Sequence, residues 1–320
     1  MKISRLLFAF FLVHALAAFA QYPARTVTIV VPFPPGGGTD TGARLVAQHL
    51  TQRWGQTVVV ENNPGAAGAL GADYVSKQKP DGYILLMGNF GTQSISPTLY
   101  GKKLAYNPDT AFAPITLVAD LPLVLVVSPA VSATSAKELI ALAKAQPGKL
   151  AYSNSGSGGS MHLAGALFES ASGTQMLHVP YKGGGPAISD LIAGHVNLAF
   201  ATILETSSHI ESGRLRALAV TGLARSPALP DVSTLADTEL PGFNSSSWIG
   251  LLAPAATPQP IIDKIAGDVK DALKAADLRQ QFIDQGALPV GGTPAQFQSL
   301  IDNDRRRYAK IIAEKNISVD

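Results

Sequence analysis

Three times in this chain a short apolar run stops at a cluster of glycines and a helical pattern takes over. The first is Val27-Thr-Ile-Val-Val-Pro-Phe-Pro-Pro-Gly-Gly-Gly-Thr-Asp40. The second is Ser153-Asn-Ser-Gly-Ser-Gly-Gly-Ser160-Met-His162, and the third is Val179-Pro-Tyr-Lys-Gly-Gly-Gly-Pro186. A buried strand that hands over to a helix through a tight turn is the unit from which parallel sheets with crossover helices are built. The rest of the chain keeps that rhythm. Apolar runs bounded by Gly, Pro, Asn or Ser predict strands at 27–31, 58–61, 84–88, 115–118, 123–127, 150–153, 176–179, 198–201, 218–221 and 249–252. Helices are expected at 41–54, 66–77, 136–145, 161–171, 186–193, 260–275, 276–285 and 294–315. The fold class that follows is α/β with mostly parallel, doubly wound sheets.

At 320 residues a single core tends to divide. Residues 113–128 read as two adjacent strand-like runs broken by Asp120-Leu-Pro122, and 241–250 is a Pro/Gly/Ser/Asn stretch before another strand. A segment entered near 120 and left near 245 is an insertion. One lobe is therefore expected from residues 21–120 and 246–320, and a second from 121–245.

Residues 1–20 carry Lys2 and Arg5, an apolar run from Leu6 to Phe19, and the small-x-small site Ala18-Phe19-Ala20. That is the order of a secretory signal. The run, about 15 residues, is short for a bilayer span; a retained anchor is the rival reading. Removal takes two of the 25 basic residues and no acid, leaving 23 cations against 23 anions. A neutral chain gives no reason to expect nucleic acid or an anionic membrane surface. There is no Cys, which excludes disulfides, thiol catalysis and Cys-based metal sites. No later segment approaches 18 uninterrupted apolar residues.

Glycines let the backbone turn tightly and approach a ligand, and a helix start offers unpaired N–H groups and a partial positive charge. Together they favour an anion. For Pro35–Asp40 the alternative is a turn capped by Thr39 or Asp40 with no ligand. The loop from Ser153 to His162 supplies four hydroxyls and an amide ahead of a helix, well suited to a small polar ligand. In the third segment Lys182 is either a cation for an acidic ligand or a solvated side chain. Nucleotide fingerprints fail: neither glycine cluster completes GxGxxG, and GxxxxGK[ST] is absent. The GxSxG elbow is missing because Ser155, not glycine, precedes Ser157 by two residues. His49, His162, His178, His195 and His209 show no metal-ligand spacing; His162, on the first turn of a helix beside the Ser/Gly loop, is the one expected near a site. We expect no cofactor and no metal.

PFPPGGGTD, ENNPGAAGALGADYV, YSNSGSGGSMHLAG, VPYKGGGPA and SSSWIGLLAP, in that order, resemble the Bug family of extracytoplasmic solute receptors, which serve tripartite tricarboxylate transporters. The resemblance spans nearly all of the chain after residue 20. It implies a type II periplasmic binding-protein fold, two α/β lobes joined by a hinge, with a small carboxylate in the cleft held by backbone N–H groups and waters. Carried over, the first-lobe candidates are Phe33, Gly37, Thr39 and Asp40, then Asn89 and Thr92. The second lobe offers Ser153, Ser155, Ser157, Ser160, His162, Lys182 and Gly183, with Thr202 after the strand at 198–201. This chain departs from many relatives at Gln93-Ser-Ile-Ser96-Pro97, where they carry His and then Ala-Ile-Asn-Pro, so their substrates do not transfer.

The function expected is a periplasmic, monomeric, non-enzymatic receptor that hands a small organic carboxylate to the integral-membrane subunits of such a transporter. The rivals are an extracytoplasmic enzyme, for which Ser157 with His162 is the one local nucleophile–base pair, and a sensor presenting its ligand to a membrane partner.

Overall fold

The computed structural model describes residues 22–314 and Ile317; the expected export segment lies outside them. The first lobe begins with β1 (Val27–Val31), α1 (Gly38–Trp54), β2 (Val58–Asn62), α2 (Ala69–Ser76) and β3 (Ile84–Asn89). Strand β1 lies between β2 and β3, parallel to both. Four of its five residues are buried, as expected of an inner strand covered by helices on both faces. Helix α1 ends at Gly55, which turns left-handed (φ 63°) and returns its N–H to the Thr51 carbonyl.

Strand β4 (Phe112–Val127) corrects one expectation: the two runs at 115–118 and 123–127 are a single strand. Its first part, through Pro122, pairs antiparallel with β9 (Ser246–Pro254). Its last part, from Leu123, pairs with β7 (Leu198–Thr202) and β8 (Arg216–Val220). Pro122 has no N–H to give, and it sits where the β9 ladder ends at Ser246, a place a strand proline tolerates. The chain thus enters the second lobe along β4 and returns along β9. Between them come α4 (Ala136–Ala145), β5 (Ala151–Asn154), α5 (Ser160–Ser172), β6 (Leu177–Pro180), α6 (Gly184–Ile192), β7, α7 (Ile203–Glu211) and β8. α3 (Ser96–Tyr100) precedes β4. The chain closes with α8 (Gln259–Ala272), α9 (Ala276–Asp284), the short β10 (Leu288–Pro289) on the edge of β4, and α10 (Pro294–Glu314). The spatial strand order is β2-β1-β3-β9-β4-β7-β5-β6.

Each lobe packs an apolar layer on both faces of its sheet. Neighbouring strand residues point to opposite faces. Leu85 accordingly joins Leu50 and Phe282, while Leu86 joins Phe297 and Tyr308. In the second lobe Leu125 joins Tyr152, Phe168 and Phe200, and Val126 joins Leu191 and Ile203. Each such side chain contributes about 1.5–3 kcal/mol by burial. The cores hold the strand ends of the two lobes in register, and the glycine-rich loops hang from those ends.

Candidate functional site

The α1 start is fastened from behind. Its first flanking residue is Gly37, extended and without any side-chain cap; neither Thr39 nor Asp40 caps it. Asp40 instead accepts the Gly36 N–H (3.0 Å), the Arg44 guanidinium (2.9 Å) and the Asn62 amide (2.9 Å). Burial raises the Asp40 pKa, but those hydrogen bonds outweigh it and leave the carboxyl below its ordinary value. The carboxylate holds the turn.

The Gly38 N–H is also taken. It donates across the cleft to Glu205 Oε2 at 3.2 Å. Glu205 stands in the first turn of α7, where Thr202-x-x-Glu205 forms a capping box: the Glu205 N–H donates to Thr202 Oγ1 (3.3 Å), and Glu205 Oε1 accepts the Thr202 N–H (2.9 Å). Burial pushes the Glu205 carboxyl upward, against the hydrogen bonds from Thr202 and Gly38. Sequence reasoning missed both α7 and Glu205, although the Thr-x-x-Glu signature was there to be read.

Asn89 and Thr92 lock one another. Thr92 Oγ1 accepts the Asn89 N–H (3.0 Å), Asn89 Oδ1 accepts the Thr92 N–H (2.9 Å), and the Asn89 amide donates to Thr39 Oγ1 (3.1 Å). On the far side, Asn154 Oδ1 accepts the Gly156 N–H and His162 Nδ1 accepts the Gly158 N–H, both at 2.9 Å. The His162 ring stacks on His178 with centroids 4.0 Å apart. Burial, then the neighbouring His178, lower its pKa to about 4, so the ring is neutral at pH 7. Its Nδ1 is committed to the loop backbone, which leaves that nitrogen unable to serve Ser157 as a base.

Two adjoining cavities lie between the lobes. Phe33, Gly37, Thr39 and Asn89 line the larger from the first lobe; Ser155, Ser160 and Thr202 line it from the second. Phe33, Asn89, Ser155 and Ser160 also line the smaller, with Ala67, Gly91, Ser96, Gly156, Gly158 and Gly159. The other sequence candidates stand off these walls. Asp40, Thr92 and His162 support loops as described, and Ser153, fully buried, donates to the Ala187 carbonyl (3.3 Å). Ser157 offers its carbonyl to the Tyr100 hydroxyl (3.0 Å), and Lys182 is exposed. Gly183 packs against Pro34, where a Cβ would come within 2.5 Å of the ring. Gly38, Leu121, Met161, Gly184, Glu205 and Ser247 complete the larger wall; Gly38, Met161, Gly184 and Ser247 sit inside the sequence motifs but were not singled out, and Leu121 and Glu205 lie outside them.

The glycines serve a close approach between lobes. A Cβ on Gly185 would strike the Pro35 carbonyl, one on Gly158 would strike Leu99, and one on Gly91 would lie 3.4 Å from Gly159 Cα.

A model of the tripartite tricarboxylate transporter family receptor matches residues 42–317. The chain belongs to that family. It is 38% identical over 297 residues to Protein BugT of Bordetella pertussis, covering 92% of this chain and 90% of BugT. The structure of periplasmic binding protein BugD superposes with a TM-score of 0.88 at 34% identity, over 93% of this chain and 99% of BugD. The R. palustris protein Rpa4515, solved with adipate, gives a TM-score of 0.90 at 34% identity, over 93% of this chain and 99% of its own. The fold is the type II periplasmic binding-protein fold, and the resemblance drawn from the motifs holds. The family and these neighbours are solute-binding receptors. Among the described residues no helix is long and apolar enough to cross a membrane, and no group of three or more acidic or histidine side chains is placed to hold a metal ion.

Proposed function

We propose that this receptor works in the periplasm, captures one small organic carboxylate between its lobes and delivers it to the membrane subunits of a tripartite tricarboxylate transporter. The observation that carries the reading is the make-up of the larger cavity, whose walls come from both lobes and carry hydroxyls, an amide and glycines. Such groups can hold a carboxylate without a fixed cation, most effectively where a helix start adds its dipole. The residues assigned to ligand contact are Phe33, Gly37, Thr39, Asn89, Ser155, Ser160 and Thr202. Asp40, Thr92, Ser153 and His162 support them. The lobes would divide at 120–121 and 245–246, where β4 and β9 cross, and these strands would serve as the hinge. Removal of residues 1–20 and action as a monomer belong to the same proposal.

A ligand at a hundred times its dissociation constant should stabilise the fold by about 2.7 kcal/mol. A thermal-shift screen of mono- and dicarboxylates, amines and sugars tests this. Shifts with acids support the reading; shifts confined to amines or sugars refute it.

A further inference from the structure

We propose that Glu205 makes this receptor select carboxylates that also carry a hydrogen-bond donor, an ammonium in preference to a hydroxyl, over unsubstituted acids of the same length. The inference rests on the carboxylate-receptor reading above and adds to it the class of substituent.

Among the described residues, Glu205 is the one ionisable side chain on the walls of the two cavities. Each of its oxygens already accepts one backbone N–H, from Thr202 and from Gly38. A carboxylate oxygen has room for a second donor, and because burial pushes this carboxyl upward, a ligand ammonium brought against it is the group that would hold it in the ionised, acceptor-only form. Gly37 and Gly184 keep the carboxylate accessible: a Cβ on Gly184 would strike Oε2, and one on Gly37 would lie 3.6 Å from it. The ligand group that reaches this wall therefore meets acceptors. A second ligand carboxylate there would face a like charge, or force a proton onto one of the pair. An ammonium or hydroxyl would complete the hydrogen bonding.

The opposite end has the reverse polarity. Ser155 and Ser160 lie at the α5 start with Asn89 on the same cavity wall from the end of β3, and the acceptors already engaged at α5, Asn154 and His162, are neutral. A ligand carboxylate fits that end. The cavity thus sorts its ligand along one direction, anion toward α5 and donor toward α7.

Glu205 also borders an outer groove that contains His209 and Arg214. If its role were only to tie the lobes together, loss of its charge would weaken every ligand alike. Selectivity would instead change the ratio between ligands.

The test is calorimetry on the whole mature protein with matched pairs, succinate against aspartate and malate, and adipate against 2-aminoadipate. Wild type should bind the better-fitting donor-bearing acid of a pair about ten- to a hundredfold more tightly than its plain counterpart. Glu205→Gln, similar in volume, should erase most of that ratio, and Glu205→Ser should do the same if the glutamine variant folds poorly. Equal affinities within each pair for wild type overturn the proposal, as does a variant that weakens all acids by one common factor. If no acid of a wide panel binds wild type, the receptor reading falls and this inference falls with it.

Discussion

The starts of α1 and α5 are made from the same parts: a strand end, glycines, hydroxyls and a helix. They differ in what accepts their backbone N–H groups. At α1 the acceptors are carboxylates, Asp40 for Gly36 and Glu205 for Gly38. At α5 they are neutral, the Asn154 amide for Gly156 and the His162 ring for Gly158. A helix start attracts an anion through its dipole and its free N–H groups. Where the protein supplies that anion itself, the attraction is largely spent; where only neutral groups are engaged, it remains for a ligand. Glycine-rich composition alone does not separate the two cases.

The largest test of this contrast is to fill the α5 end. Ser155 lines both cavities and is half-buried, so Ser155→Trp places an indole where the ligand carboxylate would sit. Affinity should fall by more than about a hundredfold, well over 2.7 kcal/mol, with little change in melting temperature. Calorimetry beside circular dichroism checks both. Undiminished affinity would move the anion to the α1 end and break the comparison.

The glycines offer a second contrast. Gly185 faces the Pro35 carbonyl of the other lobe, whereas Gly165 lies against the Tyr152 ring of its own. Gly185→Ala should obstruct lobe approach, weaken binding by about tenfold, and enlarge the radius of gyration of the liganded protein in small-angle scattering. Gly165→Ala overpacks a core and should lower stability by about 1–3 kcal/mol, with affinity retained in whatever remains folded. If the two variants behave alike, the division between lobe-facing and core-facing glycines is wrong.

Much of this architecture was legible because strand and helix periods are local. Each of the ten expected strand runs overlaps an observed strand, those at 150–153, 176–179 and 218–221 overrunning it by one residue, and the pair at 115–118 and 123–127 is fused into β4. That fusion depended on Pro122 falling at a ladder end, which is a property of the partner strand. The lining of the candidate cavity was legible where a residue sits on the loop that carries it, as with Thr39, Ser155 and Ser160. The role of Glu205 was not, because Thr-x-x-Glu marks a helix start but not the contact made across the cleft to Gly38, 167 positions away. Lys182 shows the converse: a cation inside a suggestive motif whose side chain points to solvent.

The neutrality of His162 gives a smaller, pH-dependent test. Its folded pKa is lowered from 6.5 to about 4, first by burial and then by His178. The unfolded chain therefore binds the extra proton first as pH falls. The stability associated with neutral His162 is full above pH 6.5 and is lost progressively toward pH 4. Between pH 6.5 and 5 the loss should be about 2 kcal/mol. His162→Asn, which keeps an acceptor near the Gly158 N–H, should remove most of that slope in denaturant melts. An unchanged slope would show that the fold does not lower the His162 pKa, and that the α5 start gains positive charge as pH falls below about 6.5.

The smallest effect concerns the turn that Asp40 fastens. Its carboxylate is buried, and its partner Arg44 is 52% exposed. Water therefore screens the ion pair, and the hydrogen bonds to Gly36 and Asn62 carry most of the contribution. Asp40→Ala should cost about 1 kcal/mol near neutral pH, and Asp40→Asn somewhat less, because the amide oxygen still accepts one N–H. The folded pKa is depressed, so this contribution is present above the usual value of 3.8 and disappears as pH falls through the lower folded value. Affinity should change by less than about tenfold in either variant, since the carboxylate stands behind the turn and Gly37 and Thr39 face the cavity. An affinity loss equal to that of Ser155→Trp would place the ligand anion at α1 after all, competing with Asp40 and Glu205 for the same N–H groups.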